Sequence, residues 1–253
     1  MSRLLKLFAL NAKNSHRKFE VKAEGDEATI YLYDSIVSDD FIAEWWGGVS
    51  ATSFVLQLNQ ITAPVIHLRI NCPGGDVFGA RVMEQAIRQH KAKVIAHIDG
   101  YAASAASFLA IACDEVRIAK GGFVMIHKAW SISLGNADDL RKDADLLDKI
   151  DESLVTSYEE ETGQPPEQIR SWMADETWFS ADDALKYGFA DSIAETKAKA
   201  NWDMSVYDKA PQIANAEDTP PAPTEIQQES FIEPDHRVRQ QQRMKVLAHT
   251  SIG

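Results

Sequence analysis

The chain has 253 residues, 45% of them hydrophobic and 25% charged, which suits one globular domain of ordinary composition with appendages. Its 26 basic and 38 acidic residues leave a net charge of −12, and a surface this acidic argues against a nucleic-acid binder. The longest apolar run, Tyr101 to Cys113, is too short to span a membrane and contains two serines.

In chain order, the apolar stretch within Met1–Leu10 is short and runs into the polar segment Asn11–Lys18 without a small-residue cleavage pattern, so a non-secreted chain is expected. Ala28–Tyr33 is a β-rich run. Ser38 or Asp39 then caps a helix through Phe41–Trp46, accepting bonds from the free amides of its first turn. Val65–Asn71 reads as a second strand and ends at Pro73-Gly74-Gly75. A helix over Phe78–His90 follows, with Val82, Ala86 and Ile87 on one face. Val94–Gly100 is a third strand, and Ala102–Ala112 is expected to be helical. Glu115–Ile118 and Val124–Ile126 are short strands. This alternation implies right-handed crossovers and an α/β fold. Ala137–Glu161 is one long helix whose Leu140, Leu147 and Leu154 recur every seven residues. That stripe fits packing on the chain's own core or contact with another subunit. Gly163 and Pro165-Pro166 end it.

Composition changes near residue 203, beyond which five of the nine prolines lie. Ala214–Glu229 is poor in large apolar residues and reads as linker or disorder. The Gln/Arg-rich Asp235–Ala248 fits a short docking helix or a loose tail. Cys72 and Cys113 are too few for a disulfide scaffold or a cysteine-based zinc site. They point to reduced thiols, and no metal is expected.

The strongest chemical signal is Gly100–Ser107. A serine at a strand-to-helix turn presents its hydroxyl where free amides can hold an oxyanion, although a close-packed helix of small residues has the same composition. His127 directly follows the apolar strand Val124–Ile126. By contrast, His16, His236 and His249 lie in polar contexts near the chain ends, His67 and His97 inside strands and His90 near a helix end, all suited to structural roles. Ser104 and His127 sit at strand ends of one sheet and can meet. In Pro73-Gly74-Gly75-Asp76, tandem glycines let the backbone turn an amide toward a ligand. No glycine-rich phosphate-binding pattern is present.

These segments together resemble the proteolytic subunit of Clp protease. Ile70–Val77 is similar to the family's Asn-Ser-Pro-Gly-Gly segment, Gly100-Tyr101-Ala102-Ala103-Ser104 to its nucleophile segment and Met125-Ile126-His127 to its Met-Ile-His. Thr177–Asp191 resembles the stretch around and after its third catalytic residue. The resemblance covers roughly residues 28–195. It implies an α/β fold of the ClpP/crotonase type, with repeated β-β-α units, a projecting long helix and a disordered C-terminal extension. The expected division is an N-terminal segment 1–24, a peptidase domain 25–200, and a Pro-rich linker with a Gln/Arg-rich tail over 201–253.

The resemblance further implies that Ser104 is the nucleophile and His127 the general base. The amides of Gly75 and Ala105 would form the oxyanion hole of a serine endopeptidase needing no cofactor. A homo-oligomeric ring, protein substrates and a cytoplasmic location follow, with neither nucleic acid nor membrane as partner. At the family's triad aspartate an ungapped alignment puts Glu176, and a slip of one residue makes it Asp175. Cys72 replaces the family's serine before Pro-Gly-Gly. The extension beyond Asp191, together with Trp178, resembles the Clp-related head maturation proteases of tailed phages. That branch implies capsid or scaffold precursors as substrates, in the host cytoplasm or procapsid interior, without an ATPase unfoldase. The alternatives are a housekeeping subunit working with an unfoldase, an inactive structural homologue, a Ser-Lys dyad using Lys120 or Lys128, and an acyl-CoA enzyme of the crotonase type. Ala112–Ala119 resembles a segment of the crotonase family.

Overall fold

The computed structural model describes residues 3–197 and 202–211. The linker expected over Ala214–Glu229 and the tail segment Asp235–Ala248 lie outside the described residues. The chain begins with α1 (Arg3–Asn11), β1 (Lys18–Glu24), β2 (Glu27–Tyr33), β3 (Ile36–Val37), α2 (Asp40–Trp46) and β4 (Val49–Ser50). It continues through α3 (Ala51–Asn59), β5 (Val65–Cys72), α4 (Val77–Gln89), β6 (Lys93–Ala103), α5 (Ala105–Ile111), β7 (Glu115–Lys120) and β8 (Phe123–Ile126). The long helix α6 (Ala137–Thr162) follows, then α7 (Pro166–Ala174), β9 (Thr177–Ser180), α8 (Ala181–Tyr187) and β10 (Ser192–Lys197). The α/β architecture with a long helix agrees with the expected fold class.

The main sheet runs β1-β2-β5-β6-β7-β10 and forks at β6, whose end also pairs with β8, which pairs in turn with β9. β2, β5, β6, β7 and β10 are parallel, whereas β1 lies antiparallel on β2 and β9 antiparallel on β8. The fork comes from the length of β6. Residues Ile95–Ile98 pair with β7, and Tyr101–Ala103 pair with β8. Ala102 also faces Cys72 of β5. This corrects the expected helix from Ala102. Alanine is a good helix former, but strand pairing on both sides holds Ala102 extended, so the helix starts only at Ala105.

Alternation along β2 and β5 buries Ala28, Ile30, Leu32, Ile66, Leu68 and Ile70 on one face. Phe54 and Leu58 of α3, Ala80, Met83 and Ile87 of α4, the whole of α5 and Leu154, Val155 and Tyr158 of α6 cover them. Asp39 caps α2 by accepting the Ile42 N–H at 2.9 Å, as its sequence position implied. Helix α6 is about 39 Å long at 1.5 Å per residue. Asn136 and Asp139 form a capping box at its start, and left-handed Gly163 ends it. Its buried positions, Asp151, Leu154, Val155 and Tyr158, all lie in the second half, and Leu140 and Leu146 in the first half are exposed. The seven-residue stripe is therefore core at Leu154 and surface at Leu140.

Helices α1, α3 and α7 and strand β1 are among the elements that carry no strong sequence signal. Helix α1 buries Leu7 and Phe8. Leu7 belongs to a second apolar cluster with Tyr101, Ala103, Met125, Trp202, Met204, Val206 and Tyr207. Residues 202–211, read from the sequence as the start of the extension, thus pack on the strand ends of the fork. The Asn11 side chain fastens them, donating to the Asp203 carbonyl and accepting the Asp203 N–H. No helix among the described residues is long and apolar enough to cross a membrane.

Beneath α7 and α8, Phe179 stacks on Phe189 at 4.6 Å and meets the Trp172 ring edge-on at 5.1 Å. Phe179→Ala is expected to cost about 3–5 kcal/mol through lost burial and a residual cavity, measured by urea denaturation.

Candidate active site

Ser104 follows the last residue of β6 and occupies the N-cap position of α5 with φ 53° and ψ −123°, a backbone state that residues with a Cβ rarely adopt. Three contacts hold it there. Its N–H donates to the Met125 carbonyl at 2.8 Å, and its own carbonyl accepts the Ser107 N–H at 2.9 Å and the Ser107 hydroxyl at 2.6 Å. Strain of this kind, on a serine in a cleft, is a pointer to function. The Ser104 Oγ lies 2.7 Å from His127 Nε2, at the end of β8. The two strand ends that the sequence suggested are brought together.

The Pro73–Asp76 loop closes against this serine. A Cβ on Gly74 would stand 2.7 Å from the Ser104 Cβ and from the Ala103 carbonyl. On Gly75, at φ 147°, it would stand 1.9 Å from the Ile36 carbonyl oxygen. The Ile36 N–H bonds the Gly74 carbonyl, and the Asp76 N–H bonds the Ile36 carbonyl. This pairing brackets Gly75 and leaves its own N–H outside the ladder. Ala105 is the first residue of α5, so its N–H has no carbonyl within the helix to bond. Gly75 and Ala105 line the same cleft as Ser104 and His127. The cleft is narrow, and Val77, Phe108, Ala129, Leu154 and Tyr158 make most of its wall apolar.

The two candidate acids differ in placement. Glu176, at φ 49°, is buried, whereas the Asp175 side chain is 69% exposed and lies 3.9 Å from Lys209 Nζ. The Glu176 carboxylate accepts the N–H of Lys209 at 2.7 Å, of Asp208 at 3.1 Å and of the Trp178 indole at 3.4 Å. The Arg3 guanidinium stands 4.0 Å away. Among the described residues, neither carboxylate hydrogen-bonds His127. Lys128 is no alternative base, because its side chain is 58% exposed and a lysine works as a base only when desolvated. Lys120 is exposed as well. Cys72 is buried beside the loop, and burial pushes its thiol up to about 12, which keeps it unreactive.

Sequence reasoning did not single out Arg3, Trp130 or Tyr207. The Tyr207 ring lies 5.5 Å from the His127 ring, the Trp130 ring 4.4 Å from it, and the Tyr207 hydroxyl donates to the Pro73 carbonyl at 2.7 Å. The available signal was the alternation of Trp202, Met204 and Val206 in a polar stretch. Among the described residues no cluster of histidine, cysteine and carboxylate side chains could hold a metal.

Burial, with a smaller contribution from the Arg3 charge, pushes His127 down to about 4. The unfolded chain, titrating near the ordinary 6.5, therefore binds this proton more tightly. The contribution of His127 to stability is full above that ordinary value and is lost as pH falls toward about 4. We expect its Cε1–H resonance to titrate near the lower value, with a matching decline of Tm across the interval.

A family model described as Clp protease matches residues 21–197. The chain is 33% identical to the ATP-dependent Clp protease proteolytic subunit of Deinococcus radiodurans over 151 residues, covering 57% of this chain and 74% of that protein. It is 28% identical over 177 residues to ATP-dependent Clp protease proteolytic subunit 1 of a Synechococcus strain and to subunit 2 of Parasynechococcus marenigrum. Each of those matches covers 68% of this chain and 85% of the relative.

Proposed function

Because this chain belongs to the Clp protease family, we propose that it is a serine endopeptidase with Ser104 as nucleophile, His127 as general base and Glu176 as the third triad member. The observation that carries this reading is the 2.7 Å contact between Ser104 Oγ and His127 Nε2, in a cleft that Gly75 and Ala105 also line. His127 takes the hydroxyl proton as Oγ attacks a peptide carbonyl, then returns it to the leaving amine. The Gly75 and Ala105 amides receive the oxyanion, and water releases the acyl group. Glu176 is preferred over Asp175 because it is buried on the site side. The apolar cleft wall favours an apolar side chain beside the scissile bond.

The finer reading is a head maturation protease that cuts capsid or scaffold precursors. The chain that continues past the matched region and Trp178 beside Glu176 support it. The relatives' names support the other reading, a subunit of an ATP-dependent protease. Co-expression with the cognate capsid and scaffold proteins separates the two. Cleavage without an unfoldase is expected, and cleavage only when an unfoldase is supplied would sink the maturation role. A ring assembled through the exposed first half of α6 completes the proposal.

Ser104→Ala is expected to lower kcat for peptide hydrolysis by on the order of 10^6, while a fluorophosphonate probe labels Ser104 in the unmodified protein. An acyl-CoA enzyme would leave the probe unreacted and the variant active. Leu147→Glu is expected to split the assembly by light scattering, and an unchanged mass would remove α6 from the interface.

A further inference from the structure

The site as folded holds two-thirds of a triad. Ser104 and His127 are in contact, yet the acid beside them is spent elsewhere, on the N–H groups of Asp208 and Lys209. Those amides belong to the segment 202–211. It is held by the bonds between Asn11 and Asp203, the Trp202 indole N–H on the Asn71 carbonyl at 2.9 Å, and the Tyr207 hydroxyl on the Pro73 carbonyl. Arg3 pins its far end, 2.8 Å from Asp208 and stacked over the Trp130 ring at 5.0 Å.

The segment also fills space that a substrate needs. Its Tyr207 ring packs against both His127 and Trp130 and forms part of the cleft wall at Ser104. A peptide whose carbonyl points at the Gly75 and Ala105 amides must lie along the same Pro73–Gly75 loop that Tyr207 bonds.

We propose that residues 202–211 are an autoinhibitory strap: docked, they hold Glu176 away from His127 and crowd the cleft, and undocked, they free Glu176 to orient the imidazole. This rests on the serine peptidase reading above. The strap is anchored mainly by aromatic burial and backbone bonds, with exposed ion pairs from Arg3 to Asp208 and from Lys209 to Asp175. It can therefore leave without opening the main core, because its cluster, built on Leu7, Tyr101, Ala103 and Met125, is separate from the one under the sheet.

The test uses the full chain, with Tyr207→Ala and, separately, Arg3→Glu, which turns the attraction to Asp208 into repulsion. Thermal melts establish that each variant is folded. Three rates are then compared with the unmodified protein: short-peptide hydrolysis, fluorophosphonate labelling of Ser104, and diethylpyrocarbonate modification of His127, read by mass spectrometry. If nine molecules in ten are strapped, release raises the first two about tenfold, since an apparent constant scales with the competent fraction. The histidine reaction should rise with them. Unchanged rates in both folded variants would overturn the strap. So would a fall in hydrolysis with labelling retained, because the segment would then be supporting Glu176 in catalysis. Faster modification of His127 with no labelling of Ser104 in any form would instead overturn the peptidase reading and leave the cover in place.

Discussion

The hydrogen bond from the Ser104 amide to the Met125 carbonyl is the constraint on which the site depends. It is the last rung of the β6–β8 ladder, and it fixes the end of one strand against the end of the next. With that rung in place, the chain must turn sharply at Ser104 to start α5. The turn places the hydroxyl over the strand end, where the residue following Ile126 is His127. The strained φ of Ser104 is held by this rung on one side and by the Ser107 bonds on the other. Ser107 is tied in turn to Tyr158 of α6 at 2.7 Å, so the long helix also helps to hold the turn. The tandem glycines belong to the same constraint, since the loop after β5 approaches Ser104 too closely for a side chain at Gly74.

The other polar residues of the sheet have a different role. His67 and His97 are hydrogen-bonded to each other at 2.9 Å on the outer face, and Arg69 and Asp99 form an ion pair beside them that the Tyr33 hydroxyl joins. Burial and the Arg69 charge push His97 down to about 4. These groups satisfy one another across β2, β5 and β6. They lie on the face away from α4 and α5 and do not face the cleft. No buried side-chain nitrogen or oxygen among the described residues lacks a partner.

Glu176 and the segment 202–211 give the site its individual character. A carboxylate offers several lone pairs, and in this fold backbone amides from a distant part of the chain take them. Helix α1 has the same relation to the site. It contributes no residue to the family match, which begins at residue 21, yet it brings Arg3 to the acid and Leu7 to the cluster under the strap. The two ends of the described chain therefore meet over the nucleophile.

Local pattern was enough for much of this. The parallel strands, the Asp39 cap, the long helix with its Gly163 stop and the pairing of Ser104 with His127 all follow from short-range signals: apolar alternation, capping chemistry and the position of a polar residue after a buried strand. The start of α5 is not legible locally, because Ala102 and Ala103 prefer a helix by themselves and become strand only when β5 and β8 pair with them. The choice between Asp175 and Glu176 depends on which carboxylate is buried. The role of Arg3 depends on a contact across 205 residues and that of Tyr207 on one across 134. A sequence displays what its neighbours along the chain impose, whereas the partner of a buried acid is decided by which distant amides folding brings to it.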